Sequence, residues 1–273
     1  MLAPDTLAEL DGFIVELNRA SSEVILPLFR AEHGMENKNL ALGKAGFDPV
    51  TAADKGAEAA IRQLIAARYP DHGVIGEEYG EDRPDSEFVW VLDPVDGTRA
   101  FIAGLPLWCT LIALRHEGRP VLGSVGQPFL EELYLGHAGG SRMIGRHGER
   151  ALKVRPCPHL TQATITTTDP DTYFDGAERG AWRQLRNAAR VVRLGLDSYG
   201  YAMVAAGTID LLVEGAGINS WDIEAAIPLI EGAGGLITDW RGDPLGSDGG
   251  QVVIAGDRAC LDEALVALRR SAT

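Results

Sequence analysis

The 273-residue sequence predicts a layered α/β fold, an α+β sandwich in which helical and sheet layers alternate. Three observations lead to this prediction. Apolar residues recur at helical spacing over the first thirty positions, short strands at meander spacing follow, and strand and helix patterns alternate in the second half. The change of pattern predicts two sub-domains, 1–145 with a helix pair and an antiparallel sheet, and 146–273, which is smaller and alternates strands with helices.

The elements follow from periodicity and turn residues. The opening helix presents Leu10, Ile14 and Leu17 on one face, and Tyr69-Pro70 ends the second helix. We predict helices over the first thirty residues and over 55–68, 177–188, 198–206, 223–232 and 258–269. We predict strands over 73–76, 88–92, 107–116, 120–127, 132–136, 164–168, 191–194, 209–214, 235–238 and 251–255. A Gly-, Asn- and Lys-rich loop is expected over 33–47, and Glu117-Gly118 forms a hairpin turn.

Composition limits the partners. The formal charge of −14 opposes binding to nucleic acid or to an anionic membrane, and divalent cations would be needed to attract a phosphate ester. No apolar run approaches the length of a membrane span, and the acidic N-terminus does not resemble a secretory signal. The three cysteines, Cys109, Cys157 and Cys260, are far apart, which predicts buried thiols in a reducing compartment. We therefore expect a cytoplasmic location.

The most informative segment is 88–98. Its first five residues read as a buried strand, which Asp93-Pro94 ends because proline cannot continue the ladder. Asp96-Gly97-Thr98 then predicts a turn into a short helix. Two carboxylates at a strand end, followed by free helix amides, predict a cation site beside an anion site. Oxygen ligands alone favour Mg²⁺ or Mn²⁺ over zinc. The structural alternative is that Asp96 or Thr98 is a helix N-cap and Asp-Pro a turn.

Three other segments place acids at similar positions. Glu77-Glu78 follows a short apolar run, Asp54 lies at the start of the second helix, and Asp222 lies at the start of helix 223–232. Each has a structural alternative: the glutamates as solvated turn residues, and the two aspartates as N-caps.

Taken in order, Asp54, Glu77-Glu78, Asp93-Pro-Val-Asp96-Gly-Thr98 and Trp221-Asp222 resemble the inositol-monophosphatase superfamily over nearly the whole chain. The resemblance implies the layered sugar-phosphatase fold and hydrolysis of a small phosphorylated metabolite. It also implies two or three magnesium ions between the sub-domains, with manganese as a possible substitute, and a homodimer.

The resemblance also assigns roles. The metal ligands would be the carboxylates of Glu77, Asp93, Asp96 and Asp222 with the backbone carbonyl of Val95. Asp54 and Thr98 would orient the attacking water, with Glu77 helping through its metal. The amides of Gly97 and Thr98 would hold the phosphate, and no covalent enzyme intermediate is implied.

Segments 101–114, 193–199 and 231–240 are most similar to the histidinol-phosphatase branch. In that reading Asp197 pairs with the ammonium group of histidinol phosphate and Arg193 contacts substrate. The alternatives are that Asp197 or Ser198 caps a helix and that Arg193 is a surface residue. There are two departures from the branch: the spacing from Glu214 to Asp222 is one residue longer than expected, which leaves the role of Glu214 open, and Asp48 replaces a more usual serine.

Two other functions remain open at this point. The chain could be an inositol or general sugar-phosphate monophosphatase, or an inactive relative that acts as a binding or regulatory module. The intact set of acids and Thr98 argues against the inactive relative.

Overall fold

The computed structural model describes residues 2–31, 34–37, 49–245 and 249–273. The helices are α1 Pro4–Ile25, α2 Ala52–Arg68, α3 Thr98–Ile102, α4 Pro170–Tyr173, α5 Gly176–Ala188, α6 Tyr199–Ala205, α7 Ser220–Ile223, α8 Ala226–Gly232 and α9 Arg258–Leu268, with 3₁₀ turns at Leu26–Leu28, Leu160–Gln162 and Arg269–Ser271. The strands are β1 Glu36–Asn37, β2 Pro49–Val50, β3 Gly73–Gly76, β4 Gly80–Asp82, β5 Phe88–Asp96, β6 Cys109–His116, β7 Arg119–Gln127, β8 Glu132–His137, β9 Gly140–Gly145, β10 Gly148–Ala151, β11 Thr164–Thr167, β12 Val191–Leu194, β13 Leu211–Ile218, β14 Leu236–Thr238 and β15 Gly250–Ala255.

Two large sheets organise the chain. The first has eight strands in the order β10-β9-β8-β7-β6-β5-β3-β4, and only its β3–β5 pair is parallel. The second has five strands in the order β12-β11-β13-β15-β14, with β11 parallel to both of its neighbours. A short pair, β1 with β2, leads into α2.

The sheets and helices stack in five layers. Apolar residues of α1 and α2 cover the outer face of the first sheet. Helices α6 and α8 lie between the two sheets and share one apolar core with both. Helices α5 and α9 cover the outer face of the second sheet. The predicted alternation of helical and sheet layers is confirmed.

Helix α8 approaches the first sheet closely where two strands carry glycine. A Cβ atom on Gly123 would overlap the backbone of Ala225, and one on Gly136 would overlap the backbone of Leu229. The middle layer therefore lies as close to β7 and β8 as backbone contact allows.

Most predicted elements appear within a few residues of their expected ends. Helix α2 begins earlier than residue 55 because Thr51 caps it, and the helix predicted over 223–232 is divided into α7 and α8. The hairpin turn at Glu117-Gly118 is confirmed, and both residues have the positive φ that a tight two-residue turn needs.

The strands β1, β2, β4, β9 and β10 and the short helix α4 were not predicted. Segment 142–150, a glycine-rich and charged stretch after which the sequence pattern changes, contributes most of the β9–β10 hairpin, so the first sheet continues to Ala151. The division at residue 145 stays a prediction. In the expected loop 33–47, residues 36–37 form β1, while 33, 38–47 and Asp48 lie outside the described residues.

Two predictions from composition can be compared with the structure. The three cysteines are buried and free, as expected. Within the described ranges no helix has both the length and the hydrophobicity that crossing a membrane requires.

Replacing Gly136 with alanine tests the close approach of α8. Because the new methyl group would meet backbone rather than a movable side chain, we expect Gly136→Ala to reduce the free energy of unfolding by about 2–3 kcal/mol in urea denaturation. The control is Gly12→Ala on the exposed face of α1, where nothing lies within 4 Å of the new atom. That variant should gain about 0.5–1 kcal/mol. Equal stability of the two variants would contradict the packing described.

Candidate active site

An irregularity in β5 places two aspartates together. Asp93 pairs with Leu111 of β6 and Asp96 pairs with Cys109, so β5 has one residue more than its partner between these pairs. Residues three apart in a regular strand point to opposite faces, and one extra residue restores them to the same side. Pro94 lies within this bulge, where the missing backbone N–H is tolerated.

Asp222 joins this pair from the second half of the chain. It lies in the first turn of α7, where Asn219 is the N-cap and the Asp222 carboxylate accepts the Asn219 backbone N–H at 2.7 Å. Asp222 is thus the N3 residue of a capping box, the third residue of the helix, rather than the N-cap itself. Carboxylate oxygens of Asp93, Asp96 and Asp222 all lie within 4.8 Å of one another.

The environment of this cluster disfavours negative charge. Burial, and after it the charges of Glu77 and Asp96, hold the pKa of Asp93 well above its usual range. Burial also raises the pKa of Asp96 to about 6, against the effect of the hydrogen bond from Ser198. The pKa of Asp222 rises to about 7, mainly through burial and then through the charge of Asp96. The charged forms need a compensating cation.

The donor set suits a hard divalent cation. None of the three aspartates forms an ion pair with lysine, arginine or histidine in the part of the chain that the structure describes. Three close carboxylates without such a partner match the oxygen ligands that Mg²⁺ and Mn²⁺ prefer. The residues present therefore fit the cofactor that the sequence predicted.

Glu77 lies beside the cluster rather than in it. It follows β3 directly, and its backbone N–H extends the β3–β5 pairing by a hydrogen bond to Leu92 O at 3.2 Å. Its charge contributes to the raised pKa values of Asp54, Asp93, Asp96 and Asp222. It is partly buried rather than a fully solvated turn residue.

Asp54 and Thr98 also meet. Asp54 is buried, and its Oδ2 accepts the Thr51 backbone N–H at 2.8 Å and the Thr51 hydroxyl at 2.5 Å. Thr51 is therefore the N-cap, and Asp54 is the N3 residue of another capping box, the third residue of α2. The Thr98 hydroxyl donates to the carbonyl of Val95 at 3.0 Å, and its Oγ1 lies 3.4 Å from the other oxygen of Asp54, Oδ1.

Gly97 connects the cluster to Asp197. It has φ of 81° and precedes α3 as its N-cap, so neither Asp96 nor Thr98 is that cap. A Cβ atom on Gly97 would lie 2.9 Å from Oδ2 of Asp197. Ser198 is the N-cap of α6, as the structural alternative had it, although its side chain makes no capping hydrogen bond. Instead the Ser198 backbone N–H binds Asp96 at 2.7 Å.

A second acidic region extends away from the cluster. Burial, and then the charge of Asp96, raises the pKa of Asp197 to about 7. Glu214 is buried, accepts the backbone N–H and the hydroxyl of Thr168 at 2.9 Å each, and has its pKa raised to about 8, mainly by burial. The longer spacing from Glu214 to Asp222 coincides with an irregularity of β13 between Glu214 and Ile218.

Arg193 is not brought into this group by any hydrogen bond or ion pair between described residues. It is exposed on β12, the edge strand of the second sheet. Sequence reasoning missed Glu58, which accepts the backbone N–H groups of Glu78 and Tyr79, and Thr168, which donates to Glu214. Glu58 follows Asp54 by four residues, so helical spacing could have identified it, whereas Thr168 left no such signal.

The chain is similar to known proteins in both sequence and fold. The profile of the inositol monophosphatase family matches residues 6–273. The chain is 41% identical over 239 residues to the chloroplastic bifunctional phosphatase IMPL2 of Arabidopsis thaliana, covering 86% of this chain and 66% of that protein, slightly less than two thirds of its length. It is 38% identical to histidinol-phosphatase of Chlorobaculum parvum, over 77% of this chain and 79% of that protein. The structure of an inositol monophosphatase from Zymomonas mobilis superimposes on this chain with a TM-score of 0.83 at 36% sequence identity. The superposition covers 98% of this chain and 100% of that one.

The fold and the acidic site thus define a phosphatase, a hydrolase of phosphoric monoesters. The chain belongs to the inositol monophosphatase family.

Removing one charge from the cluster should have opposite effects with and without cations. In EDTA we expect Asp93→Asn to raise the melting temperature, because it removes repulsion while its side-chain oxygen can still accept the Val95 N–H. The rise in melting temperature that Mg²⁺ causes in the wild type should largely disappear. Phosphatase activity, abolished by EDTA in the wild type and restored by Mg²⁺, should fall more than about a hundredfold in the variant.

The matched control is Asp210→Asn. Asp210 is equally buried but pairs with Arg155 at 2.6 and 2.7 Å, so losing its charge should lower the melting temperature and leave the Mg²⁺ response unchanged. An Mg²⁺-induced rise of normal size in Asp93→Asn would contradict the assignment of the cluster.

Proposed function

We propose that this phosphatase hydrolyses histidinol phosphate to histidinol and phosphate, with magnesium as its cofactor and water as the attacking group. The observation that carries the proposal is the juxtaposition of the Asp93, Asp96 and Asp222 carboxylates with the Asp54–Thr98 pair. A cation site and a polar pair next to it are what metal-assisted phosphate hydrolysis requires.

Magnesium is held in this proposal by Glu77, Asp93, Asp96, Asp222 and the Val95 carbonyl, with manganese able to replace it. When bound, magnesium supplies positive charge that attracts the phosphate, increases the acidity of a nearby water and offsets charge on the leaving oxygen. The backbone amides of Gly97 and Thr98 hold the phosphate oxygens. The positive φ of Gly97 supports this, since it turns the chain between the strand and α3.

Asp54 and Thr98 orient the attacking water. Thr51 engages one oxygen of Asp54, which leaves Oδ1 to accept a hydrogen bond from water. The Thr98 hydroxyl donates to Val95, so its lone pairs accept the second hydrogen of the same water. A water held between two acceptors presents its own lone pair to the phosphorus, and Asp54 is placed to take the proton.

The acidic region around Asp197 favours a cationic leaving group. Asp197 lies next to the Gly97 turn. Thr168 connects Asp197 to Glu214, because it forms hydrogen bonds with both carboxylates. Histidinol phosphate carries an ammonium group that would offset this charge, whereas an inositol phosphate offers only hydroxyls. The relatives do not separate the two substrates, because histidinol-phosphatase and inositol monophosphatase match at similar identity. Arg193 stays a predicted substrate contact.

The cytoplasmic location and the homodimer stay predictions drawn from cysteine usage and family resemblance. A role as an inactive binding relative would require that no phosphate ester be hydrolysed in the presence of Mg²⁺.

The water-orienting pair can be tested by a double-mutant cycle. Thr98→Ala and Asp54→Asn should each lower kcat at saturating Mg²⁺ by about a hundredfold or more. Thr98→Ala removes an acceptor for the water. The oxygen of an asparagine at 54 has to face the Thr51 N–H, so an NH₂ group replaces the acceptor on the water side. If both act on one water, the double variant should be little slower than the slower single variant. Losses that multiply fully would show that the two residues act separately.

Substrate choice can be tested with Asp197→Asn. Two charges about 4 Å apart interact by about 4 kcal/mol at an effective dielectric of 20, and desolvation reduces this to a net loss of about 1–3 kcal/mol. We therefore expect kcat/KM for histidinol phosphate to fall about tenfold to a hundredfold. Asparagine tolerates the positive φ of 46° at this position, so the fold should not change.

The control substrates are inositol phosphate and an aryl phosphate without a cationic group, assayed on the same two proteins. Their hydrolysis should barely change, since neither offers a cation to Asp197. A wild type that prefers inositol phosphate, or equal losses on all three substrates, would show that Asp197 does not select the substrate and that histidinol phosphate is not favoured.

A further inference from the structure

Helix α2 carries three charged residues on one face at successive turns. Asp54, Glu58 and Arg62 are separated by four residues each, so their side chains lie one above another along the helix. Asp54 faces Thr98, as described above. Glu58 is fully buried, and Arg62 is partly buried beside it. Since a buried carboxylate is costly unless it is paired, the partners of Glu58 indicate what it does.

Glu58 binds the backbone of the turn that contains Glu77. Its Oε2 accepts the backbone N–H of Glu78 at 2.8 Å, and its Oε1 accepts that of Tyr79 at 3.2 Å. Arg62 compensates the charge with a hydrogen bond from Nε to Oε1 at 2.7 Å. Arg62 also donates to the carbonyl of Gly80. The whole turn between β3 and β4 is therefore attached to α2 through one carboxylate and its arginine.

Gly76 shows how closely this carboxylate fits. A Cβ atom on Gly76 would overlap both oxygens and the carboxyl carbon of Glu58. The residue before Glu77 therefore has to be glycine for the Glu58 carboxylate to occupy its place. Glu77 is thus fixed on both sides, by the packing of Gly76 on Glu58 and by the hydrogen bond from Glu78.

We propose that Glu58 is a positioning residue for the cation site: it holds the turn from which Glu77 contributes its charge to the carboxylate cluster. The same helix then fixes both Asp54 and Glu77, so that the water-orienting residue and this ligand keep a constant relation. The inference rests on the proposed function, because it takes Glu77 to be a magnesium ligand. Groups that orient metal ligands commonly affect metal affinity as strongly as tenfold to a hundredfold.

The test is Glu58→Gln, with Mg²⁺ binding measured by titration calorimetry independently of activity. Glutamine has only one oxygen, so its NH₂ group must face at least one of the N–H groups that now donate to Glu58. The turn therefore loses a hydrogen bond. We expect the Kd for Mg²⁺ to rise about tenfold. The kcat at saturating Mg²⁺ should stay within about threefold of the wild type, because the residues that contact substrate are unchanged. Gly76→Ala, which displaces the same carboxylate, should weaken Mg²⁺ binding in the same way.

The control is Glu178→Gln. Glu178 is another buried glutamate that accepts backbone N–H groups, those of Asp175 and Ala216, and a glutamine N–H, at 2.8–2.9 Å, but in the outer layer of the second sheet. It should lower the melting temperature in EDTA as Glu58→Gln does, with no change in Mg²⁺ affinity. A purely structural role for Glu58 would make the two variants alike.

Asp93→Asn separates failure of this inference from failure of the proposed function. If Asp93→Asn binds Mg²⁺ weakly while Glu58→Gln and Gly76→Ala bind it as the wild type does, Glu58 does not position the site. If Asp93→Asn also binds normally, the cluster is not the magnesium site, and both the proposed function and this inference are overturned.

Discussion

Repulsion among carboxylates that are held close together away from bulk water is the constraint on which the rest of the structure depends. Asp93, Asp96 and Asp222 would move apart or take up protons if the chain around them were free to relax. The fold must therefore hold these three side chains rigidly, which lowers the stability of the folded protein. It does so mainly with backbone groups, which cannot swing away as side chains can. One oxygen of each acid accepts a backbone N–H, in the pairs Asp54 with Thr51, Asp93 with Val95, Asp96 with Ser198 and Asp222 with Asn219.

Because these donors come from both halves of the chain, the site depends on how the two sheets are joined. Asp222 lies on α7, and the next residue but one, Glu224, is buried and paired with Arg115 of β6. This ion pair links the segment that carries Asp222 to the strand next to the one that carries Asp93. The close approach of α8 to the glycines of β7 and β8 fixes the same segment from its other end. Cation binding and sheet packing are therefore parts of one mechanical arrangement.

The sequence predicted the elements with strong periodicity and the acids that punctuate them, because burial patterns and Asp-Pro or Asp-Gly turns are local signals. It could not predict the five-layer stacking in detail, and β9 and β10 were not predicted because most of their residues are polar or glycine. Asp54 and Asp222, for which an N-cap was the structural alternative, prove to be the N3 residues of capping boxes, a distinction that needs the backbone angles of Thr51 and Asn219. Helical spacing relates Glu58 to Asp54, but it does not show that Glu58 binds the backbone amides of Glu78 and Tyr79, which lie far along the chain.

The middle helical layer, α6 and α8, affects how this protein unfolds. Helices α6 and α8 are apolar on the sides that face both sheets, and their core continues into each sheet without a break. Neither half could open while the other stayed intact, since separation would expose one wide hydrophobic surface on each piece. Amide hydrogens on the facing strands β6 and β13 should therefore exchange with solvent through the same global event, so the molecule behaves as a single cooperative folding unit despite its two sheets.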